Sequence, residues 1–393
     1  MTTIRDVARL AGVGLGTASR VVSGKGSVSP ATAEKVRRAI EELDFTPSHS
    51  ARALLSGSTQ MIGVYIPLLK GSFYPNILQT IDSELRAADR HMVVAFGREA
   101  TDTRAEVCEG ARFLIERDCD GLIVMSNALT AEDVQEFLRR QPNLVVLNSS
   151  FEALADRCFT ADHRAGGRLA AEALLGHGHQ RIAVIGGPAT SPDNAERLEG
   201  FHAALREAGI AAEGVPSEAS DFSTAGGYAA ACRLFERGVD CTALFCANDE
   251  MAVGALACCA ERGLRVPADV SVIGYDDTPT AEFAVPRLTS VHMPIREVTQ
   301  AATRTLLNRC YDLGLGVERQ FGVTVTVRAS LRTYRGDEIT RSLPVDIPSN
   351  ARGSTHTPEQ KVVPVAHARQ VPDAQISVAP QACPQAPQLL RSF

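Results

Sequence analysis

Residues 12–20, GVGLGTASR, are the first whose types and spacing could do chemistry, because closely spaced glycines let a backbone approach phosphate groups. Gly12, Gly14 and Gly16 alternate as in the opening of a dinucleotide-binding loop. The same residues could instead form the turn and second helix of a DNA-binding motif. The first interpretation describes a cofactor-dependent enzyme and the second a nucleic-acid reader.

The flanking residues favour the DNA-binding interpretation. A dinucleotide loop needs a preceding strand, but RDVARLA places its apolar residues at helical spacing, and Thr17 stands where a third glycine is required. A phosphate loop needs Gly-Lys-Ser/Thr, which does not follow. Thr3 and Asp6 have the spacing of a capping box, and Ser29-Pro30 is typical of a helix start. The pattern therefore predicts a helix-turn-helix.

Charge and composition agree with this assignment. Residues 1–60 carry a net charge of +3 and the rest of the chain −9, which suits a nucleic-acid-binding segment on an acidic body. No apolar run reaches the ~18 residues of a membrane span, and the first residues lack the pattern of a secretory signal. The ten cysteines form no CxxC pair or disulfide framework. We therefore expect a cytoplasmic protein in a reducing compartment, with no membrane partner.

Beyond residue 60 the sequence alternates apolar runs with amphipathic stretches, which predicts parallel sheets wrapped by helices. The length of this region favours two subdomains with a cleft between them. The predicted strands are 61–67, 92–96, 121–125, 144–148, 181–187, 242–247 and 270–277. The predicted helices are 76–88, 103–117, 131–140, 163–177, 194–208, 224–236, 248–262 and 294–312.

Several blocks in a fixed order give the chain a family resemblance. TIRDVARLAGVGLGTASRVVSGKG, GHGHQRIAVIGGP, ERLEGFHAAL, ANDEMAVGAL and SVIGYDDTPTAEFAVPRLTSV together resemble the lactose-repressor (LacI/GalR) family over about residues 2–332. The resemblance implies an all-α helix-turn-helix DNA-binding domain at 1–46 and a hinge helix and linker at 47–60. It also implies an effector-binding and dimerisation domain at 61–335, made of two Rossmann-like subdomains as in periplasmic binding proteins. Residues 336–393, rich in Pro, Gln, Ala and Ser, match nothing and are predicted to be a disordered tail.

The resemblance also implies which residues meet DNA. In the family the hinge orders on the operator and inserts a leucine into the minor groove; Leu54 holds that position, with Leu55 as the alternative. Family members usually carry Ser where this chain has Gly14, and Leu15 and Gly16 occupy the main base-reading positions, so sequence reading must depend on Arg20 and the hinge. The predicted DNA-binding residues are Thr3, Gly14, Leu15, Gly16, Thr17, Ser19, Arg20, Lys25, Ala51 and Leu54.

The effector residues follow from matching motifs and from the rule that ligands bind at the carboxyl ends of parallel strands. Each has a plainer alternative: Arg197 could pair with Asp193 or Glu199, Asp276 could cap a turn, and Phe73 could be core. One arginine among carboxylates favours a neutral sugar, while adjacent aromatic residues keep a purine possible. The predicted effector-binding residues are Phe73, Tyr74, Asn148, Asp193, Arg197, Phe222, Asn248, Glu250 and Asp276.

We therefore predict a transcription regulator, with a repressor favoured, that binds a pseudo-palindromic operator as a homodimer under the control of a small molecule. QLLRSF at the end is too short for a tetramerising heptad helix. No cofactor, metal site or catalytic group is expected, and His177-Gly-His179 fits a turn better than a metal pair. The alternatives are a solute-binding protein for transport, an enzyme on an α/β fold, and a repressor whose cleft binds nothing.

Overall fold

The structure is a computed structural model that describes residues 2–24, 26–46, 57–98 and 103–335. All of these residues belong to one compact unit, Met1–Val345. Lys25, the predicted hinge residues Ala51 and Leu54, and the predicted tail lie outside the described residues.

The first described element is a bundle of three short helices: α1 (Ile4–Leu10), α2 (Leu15–Ser23) and α3 (Pro30–Glu42). The Asp6 carboxylate accepts from the Thr3 N–H at 3.0 Å, and the Ser29 hydroxyl accepts from the Thr32 N–H at 3.3 Å, so both predicted helix starts are confirmed. The helices bury a small apolar core made of Val7, Ala8, Ala18, Val36, Ala39 and Phe45.

Glycines in left-handed conformation lie before and after the second helix of this bundle. Gly12, in the turn after α1, has φ +66°, and Gly24 caps the end of α2, also with φ +66°. Other residues adopt this conformation at a cost, so glycine at these positions allows a tight reversal. Helix, tight turn, helix and third helix follow one another as the sequence predicts.

The rest of the described chain forms two mainly parallel sheets flanked by helices. The strands are β1 (Met61–Ile66), β2 (His91–Phe96), β3 (Gly121–Met125), β4 (Leu144–Leu147), β5 (Cys158–Phe159), β6 (Ile182–Gly186), β7 (Ser217–Ala219), β8 (Ala243–Cys246), β9 (Ser271–Asp276), β10 (Thr289–His292) and β11 (Thr324–Thr326). The five-stranded sheet has the order β2-β1-β3-β4-β5, and the six-stranded sheet has the order β11-β10-β9-β8-β6-β7. Every strand pair is parallel except β10 with β11.

Each sheet with its helices forms one subdomain, and the chain crosses between the two subdomains more than once. It leaves the first sheet after β5, returns to it in the helix that follows β10, and comes back to the second sheet at β11. The helices are α4 (Phe73–Ala87), α5 (Arg104–Ile115), α6 (Ala131–Arg140), α7 (His163–Gly176), α8 (Pro192–Glu207), α9 (Thr224–Glu236), α10 (Asp249–Glu261), α11 (Pro279–Phe283) and α12 (Ile295–Tyr311).

The predicted long strands and helices are confirmed to within a few residues, but the short strands β5, β7, β10 and β11 were not predicted. These strands have two to four residues, and SEA in β7 and TVT in β11 contain no apolar run. Their pairing is decided by the neighbouring strand rather than by their own sequence. Within the described part of the chain, no helix combines the length and the apolar character needed to cross a membrane.

Candidate effector cleft and DNA-binding surface

The predicted effector residues lie at the carboxyl ends of the strands, on both subdomains. Asn148 follows β4, Asn248 follows β8, and Asp276 is the last residue of β9. Asp193 and Arg197 lie in the first turns of α8, after β6. Parallel strands bring these ends to one edge of each sheet, and the two edges meet at the cleft.

Arg197 is the centre of a buried polar cluster. Its side chain is 5% exposed, and its guanidinium lies 4.0 Å from the centroid of the Tyr275 ring. Nη1 donates to the Ala247 carbonyl at 2.6 Å, and Nη2 lies 3.5 Å from Asp276 Oδ1. Glu199 pairs with Arg164 instead, and the ion pair of Arg197 is with Asp276, while Asp193 acts on Arg197 through its charge. Arg197 therefore presents a fixed cation to the cleft.

Asp193 lies one turn before Arg197 on α8 and contacts two residues of the first subdomain. Its carboxylate accepts from Asn127 Nδ2 at 2.9 Å and from Asn148 Nδ2. The Asn148 amide oxygen lies 3.3 Å from His163 Nε2, and His163 Nδ1 lies 3.2 Å from the Tyr275 hydroxyl. Asn127, His163 and Tyr275 were not among the predicted site residues.

Burial and neighbouring charges shift the titration of this cluster. Burial raises the pKa of Asp276 to about 7, with Arg197 opposing the shift and Asp193 and Glu250 adding to it. Burial also raises the pKa of Asp193. Burial and the nearby Arg197 lower the pKa of His163 well below its ordinary value, so that ring is neutral at pH 7.

One atom of the cluster lacks a hydrogen-bond donor among the described residues. Asp276 Oδ1 is buried, accepts no hydrogen bond there, and has only the 3.5 Å ion-pair contact with Arg197. A buried acceptor without a donor is unfavourable by about 1–3 kcal/mol. A hydroxyl placed between Asp276 and Arg197 would supply that donor.

Phe222 and Asn248 form the wall beside Arg197. Phe222 has φ +65°, and its ring centroid lies 5.9 Å from the Arg197 guanidinium. Asn248 caps α10 by accepting from the Met251 N–H at 2.9 Å and donates to the Phe222 carbonyl at 2.9 Å. The Asn248 amide thus holds the loop that carries Phe222.

Glu250 connects the two subdomains. One carboxylate oxygen accepts from the backbone N–H of Ser72 at 3.1 Å and from its hydroxyl at 3.3 Å, and the other accepts from the Thr224 hydroxyl at 2.8 Å. Ser72 precedes α4 of the first subdomain, whereas Thr224 and Glu250 belong to the second. Gly71 is adjacent, and a Cβ there would lie 2.8 Å from the Glu250 carboxylate.

Phe73 and Tyr74 begin α4, directly after Ser72, so they lie at the end of the first subdomain that faces α10. Both are half-buried, pack against the apolar core and meet each other edge to face at 5.3 Å between centroids. Phe73 thus belongs partly to the apolar core, which was the plainer alternative to a ligand contact.

His177 and His179 have structural partners. His177 Nδ1 lies 2.7 Å from the Ala173 carbonyl oxygen at the end of α7. The buried His179 ring contacts the Thr242 hydroxyl at 2.9 Å and the Arg332 carbonyl at 3.0 Å. Across the residues that the structure describes, no group of three or more His, Cys, Asp or Glu side chains could hold a metal ion.

On the DNA-binding bundle, the front of α2 is open to solvent. Gly14, Leu15, Gly16 and Arg20 are exposed, and Leu15 retains 46% of its surface. Thr17 and Ser19 are half-buried, and the exposed Thr3 lies at the start of α1. The exposed surface of α2 is thus formed largely by the residues predicted to meet DNA.

Comparison with known proteins finds family matches for both the DNA-binding helices and the effector domain. Residues 3–48 match bacterial regulatory proteins of the lacI family, and residues 171–331 match a periplasmic binding protein-like domain. The HTH-type transcriptional regulator GalS of Salmonella typhimurium is 34% identical over 307 residues, which are 78% of this chain and 89% of GalS. The chain belongs to the LacI family.

Solved structures of LacI-family proteins extend the likeness to three dimensions. The lac repressor dimer bound to operator and the anti-inducer ONPF is 30% identical, with a TM-score of 0.72 over 84% of this chain and 98% of that one. A complex of the transcriptional regulator CelR with cellobiose is 31% identical, with a TM-score of 0.60 over 84% of this chain and 100% of that one. The protein is a LacI-family transcription regulator with a DNA-binding helix-turn-helix and an effector domain. Its relatives are regulators rather than enzymes.

Proposed function

We propose that this LacI-family protein represses transcription by binding a pseudo-palindromic operator as a homodimer, and that a sugar in the cleft changes its operator affinity. The observation that carries the sugar assignment is Asp276 Oδ1, a buried carboxylate oxygen without a hydrogen-bond donor beside Arg197. An acceptor and a cation at this spacing suit one hydroxyl that donates to Asp276 and accepts from Arg197.

The wider cluster supports a neutral polyol. Asp193, Asn127 and Asn148 form a hydrogen-bonded group next to Arg197 and can exchange hydrogen bonds with further hydroxyls. Phe222 offers an apolar face near the guanidinium. Two acidic side chains beside one arginine leave little positive charge for a phosphate group, which disfavours a phosphorylated ligand. CelR, a relative of similar fold, is solved with cellobiose.

A purine is the second candidate, and one observation favours it. Phe73 and Tyr74 lie together at the start of α4, near the rim of the cleft, where aromatic faces could stack on a base. The buried carboxylates would then meet ring N–H groups instead of hydroxyls.

The proposed dimer has a candidate face on the second subdomain. An open apolar groove lies between α10 and α11, and Phe283 and Val285 at its edge are 75% and 91% exposed. Exposed aromatic and aliphatic residues around one groove are typical of an interface. The relative with known operator contacts, the lac repressor, is solved as a dimer.

Three further proposals accompany this one. The domain limits are 1–46 for DNA binding, 47–60 for the hinge and 61–335 for the effector domain. The predicted DNA- and effector-binding residues serve those two functions, except that Glu250 acts by holding the subdomains together. The protein works in the cytoplasm, where its DNA is.

The test is a binding titration. An operator is first selected from random DNA by the purified protein, and its affinity is then measured with a panel of sugars and purines. We expect one sugar to change the operator affinity at least tenfold, about 1.4 kcal/mol of coupling. An effect from a purine alone would replace the sugar by the second candidate, and no effect from any compound would contradict an effector of either class.

A further inference from the structure

Asp120 collects hydrogen bonds from the segment through which the chain enters the effector domain. Its carboxylate accepts from the Thr59 N–H at 2.7 Å, the Gln60 N–H at 2.8 Å and the Thr59 hydroxyl at 2.9 Å. The Ser58 hydroxyl also donates to it. Three consecutive residues are thus held by one side chain.

The same carboxylate also holds the end of α12. The Tyr311 hydroxyl, from the last residue of that helix, donates to Asp120 Oδ2 at 2.8 Å, and the Arg90 guanidinium covers the Tyr311 ring at 4.2 Å. Asp120 itself directly precedes β3, and its N–H donates to the Met61 carbonyl of β1 at 2.8 Å. Linker, central strands and helix therefore meet at one group.

The elements at this junction connect with both subdomains. Helix α12 starts three residues after β10 of the second sheet, packs along β3, β4 and α4 of the first, and ends at Asp120. Residues 58–60 lie near the start of the described segment 57–98, which follows the stretch that leads back to the DNA-binding helices.

The charge of Asp120 is kept by these contacts. Burial raises the pKa of the carboxyl, but the hydrogen bonds from Ser58, Thr59 and Tyr311 outweigh burial and leave the pKa below its ordinary value. An ionised carboxylate accepts at both oxygens, whereas an amide accepts at one. An asparagine at this position could not accept from all of these donors, whereas the aspartate does.

We propose that Asp120 is a positioning residue that couples the effector domain to the DNA-binding domain, by fixing residues 58–60 to the strands and to the end of α12. A movement of the first subdomain then also moves residues 58–60, because their hydrogen bonds to Asp120 fix them to the sheet. The proposal rests on the proposed repressor function for its consequence on DNA, but not for the anchoring itself.

The test compares Asp120→Asn and Tyr311→Phe with the wild-type chain. Asp118→Asn is the matched control, since its side chain is exposed in the same loop and only its backbone carbonyl meets Thr59. Hydrogen exchange is measured for the peptide spanning residues 57–66, together with the thermal midpoint. Affinity for the selected operator and for random DNA is measured on the same samples.

For Asp120→Asn we expect exchange at residues 59 and 60 at least tenfold faster, with a small change in thermal midpoint. Operator affinity should fall at least fivefold relative to random-DNA affinity, which a purely structural role would not produce. Tyr311→Phe should weaken operator affinity less, and Asp118→Asn should resemble wild type.

Unchanged exchange in Asp120→Asn would overturn the role of Asp120 as the anchor of residues 58–60. Faster exchange with an unchanged affinity ratio would overturn the coupling role. A wild-type protein without sequence preference would instead refute the proposed function, and exchange would still decide the anchor.

Discussion

At the scale of single residues, Gly14 lies on the predicted DNA-binding surface at a position where the family resemblance implies a serine. Gly14 is the N-cap of α2 with φ −70° and ψ 151°, a conformation open to any residue, and a Cβ there would meet no atom within 4 Å. Serine would therefore fit without strain, and its hydroxyl could cap the helix or face a phosphate. The glycine is not required by the backbone.

We expect Gly14→Ser to raise the affinity for DNA, and to stabilise the bundle by only a few tenths of a kcal/mol, because glycine is itself an acceptable cap. Affinity for random DNA, measured over a range of salt concentrations, checks this. Gly12→Ser is the control, since φ +66° there opposes a side chain and should reduce stability. A Gly14→Ser protein that binds DNA more weakly than wild type would contradict the conclusion that position 14 has room for a serine side chain facing DNA.

Asp276 predicts how sugar binding depends on pH. Burial raises the pKa of this carboxyl to about 7, so the fraction that is ionised grows as pH rises through 7. A sugar hydroxyl donates to the ionised form, and affinity should therefore be high at pH 8 and fall by up to roughly tenfold per pH unit below 7. Calorimetry from pH 5.5 to 8 measures this with the sugar found in the operator titration. In Asp276→Asn the dependence should flatten; affinity that increases toward acid pH would exclude the carboxylate as an acceptor.

At the scale of elements, the Glu250 side chain connects α10 to the start of α4. Glu250, in the first turn of α10, accepts from Ser72 before α4 and from Thr224 at the start of α9. Both of its oxygens are thereby occupied by protein donors. This geometry fits a contact that holds the cleft closed better than the direct ligand contact predicted from sequence.

We expect Glu250→Gln to loosen this contact, because an amide NH₂ cannot accept from Ser72 or Thr224. Hydrogen exchange at residues 71–77 should accelerate, and sugar affinity should fall about threefold to tenfold, since part of the binding energy must then close the cleft. Glu261→Gln on the same helix is the control, because Glu261 binds Tyr228 within one subdomain. Sugar affinity lost with no change in exchange would point to a direct ligand contact.

At the scale of the whole molecule, the groove between α10 and α11 is the proposed dimer face, on which the binding of two chains to one operator would depend. Phe283 is 75% exposed beside apolar residues of α10, an arrangement that is unfavourable in water.

We expect Phe283→Asp to raise the dimer dissociation constant at least tenfold, because central aromatic residues contribute about 2 kcal/mol or more to interfaces. Sedimentation measures the constant. Val327→Asp, at an exposed position beside β11, is the control, and an unchanged dimer in Phe283→Asp would place the interface elsewhere.

Local sequence was sufficient for the long strands and for most of the helices, whereas the short strands β5, β7, β10 and β11 were missed. Helix starts at Thr3 and Ser29, the turn at Gly12 and the long strands follow from contacts between neighbours in the chain, and their patterns are strong. Arg197 and Asp276 could be named because their motifs are distinctive and because strand ends are where parallel sheets bind ligands.

Only the tertiary structure brought Asn127, His163 and Tyr275 into the Arg197 cluster, joined Glu250 to Ser72 and gathered the donors around Asp120. These residues lie far apart in the sequence, and Glu250 meets Ser72 across 178 positions. Whether a carboxylate faces a ligand, a helix end or a linker depends on which elements pack around it. That packing is a property of the folded chain, because hydrogen bonds between distant residues leave no periodic trace in the sequence.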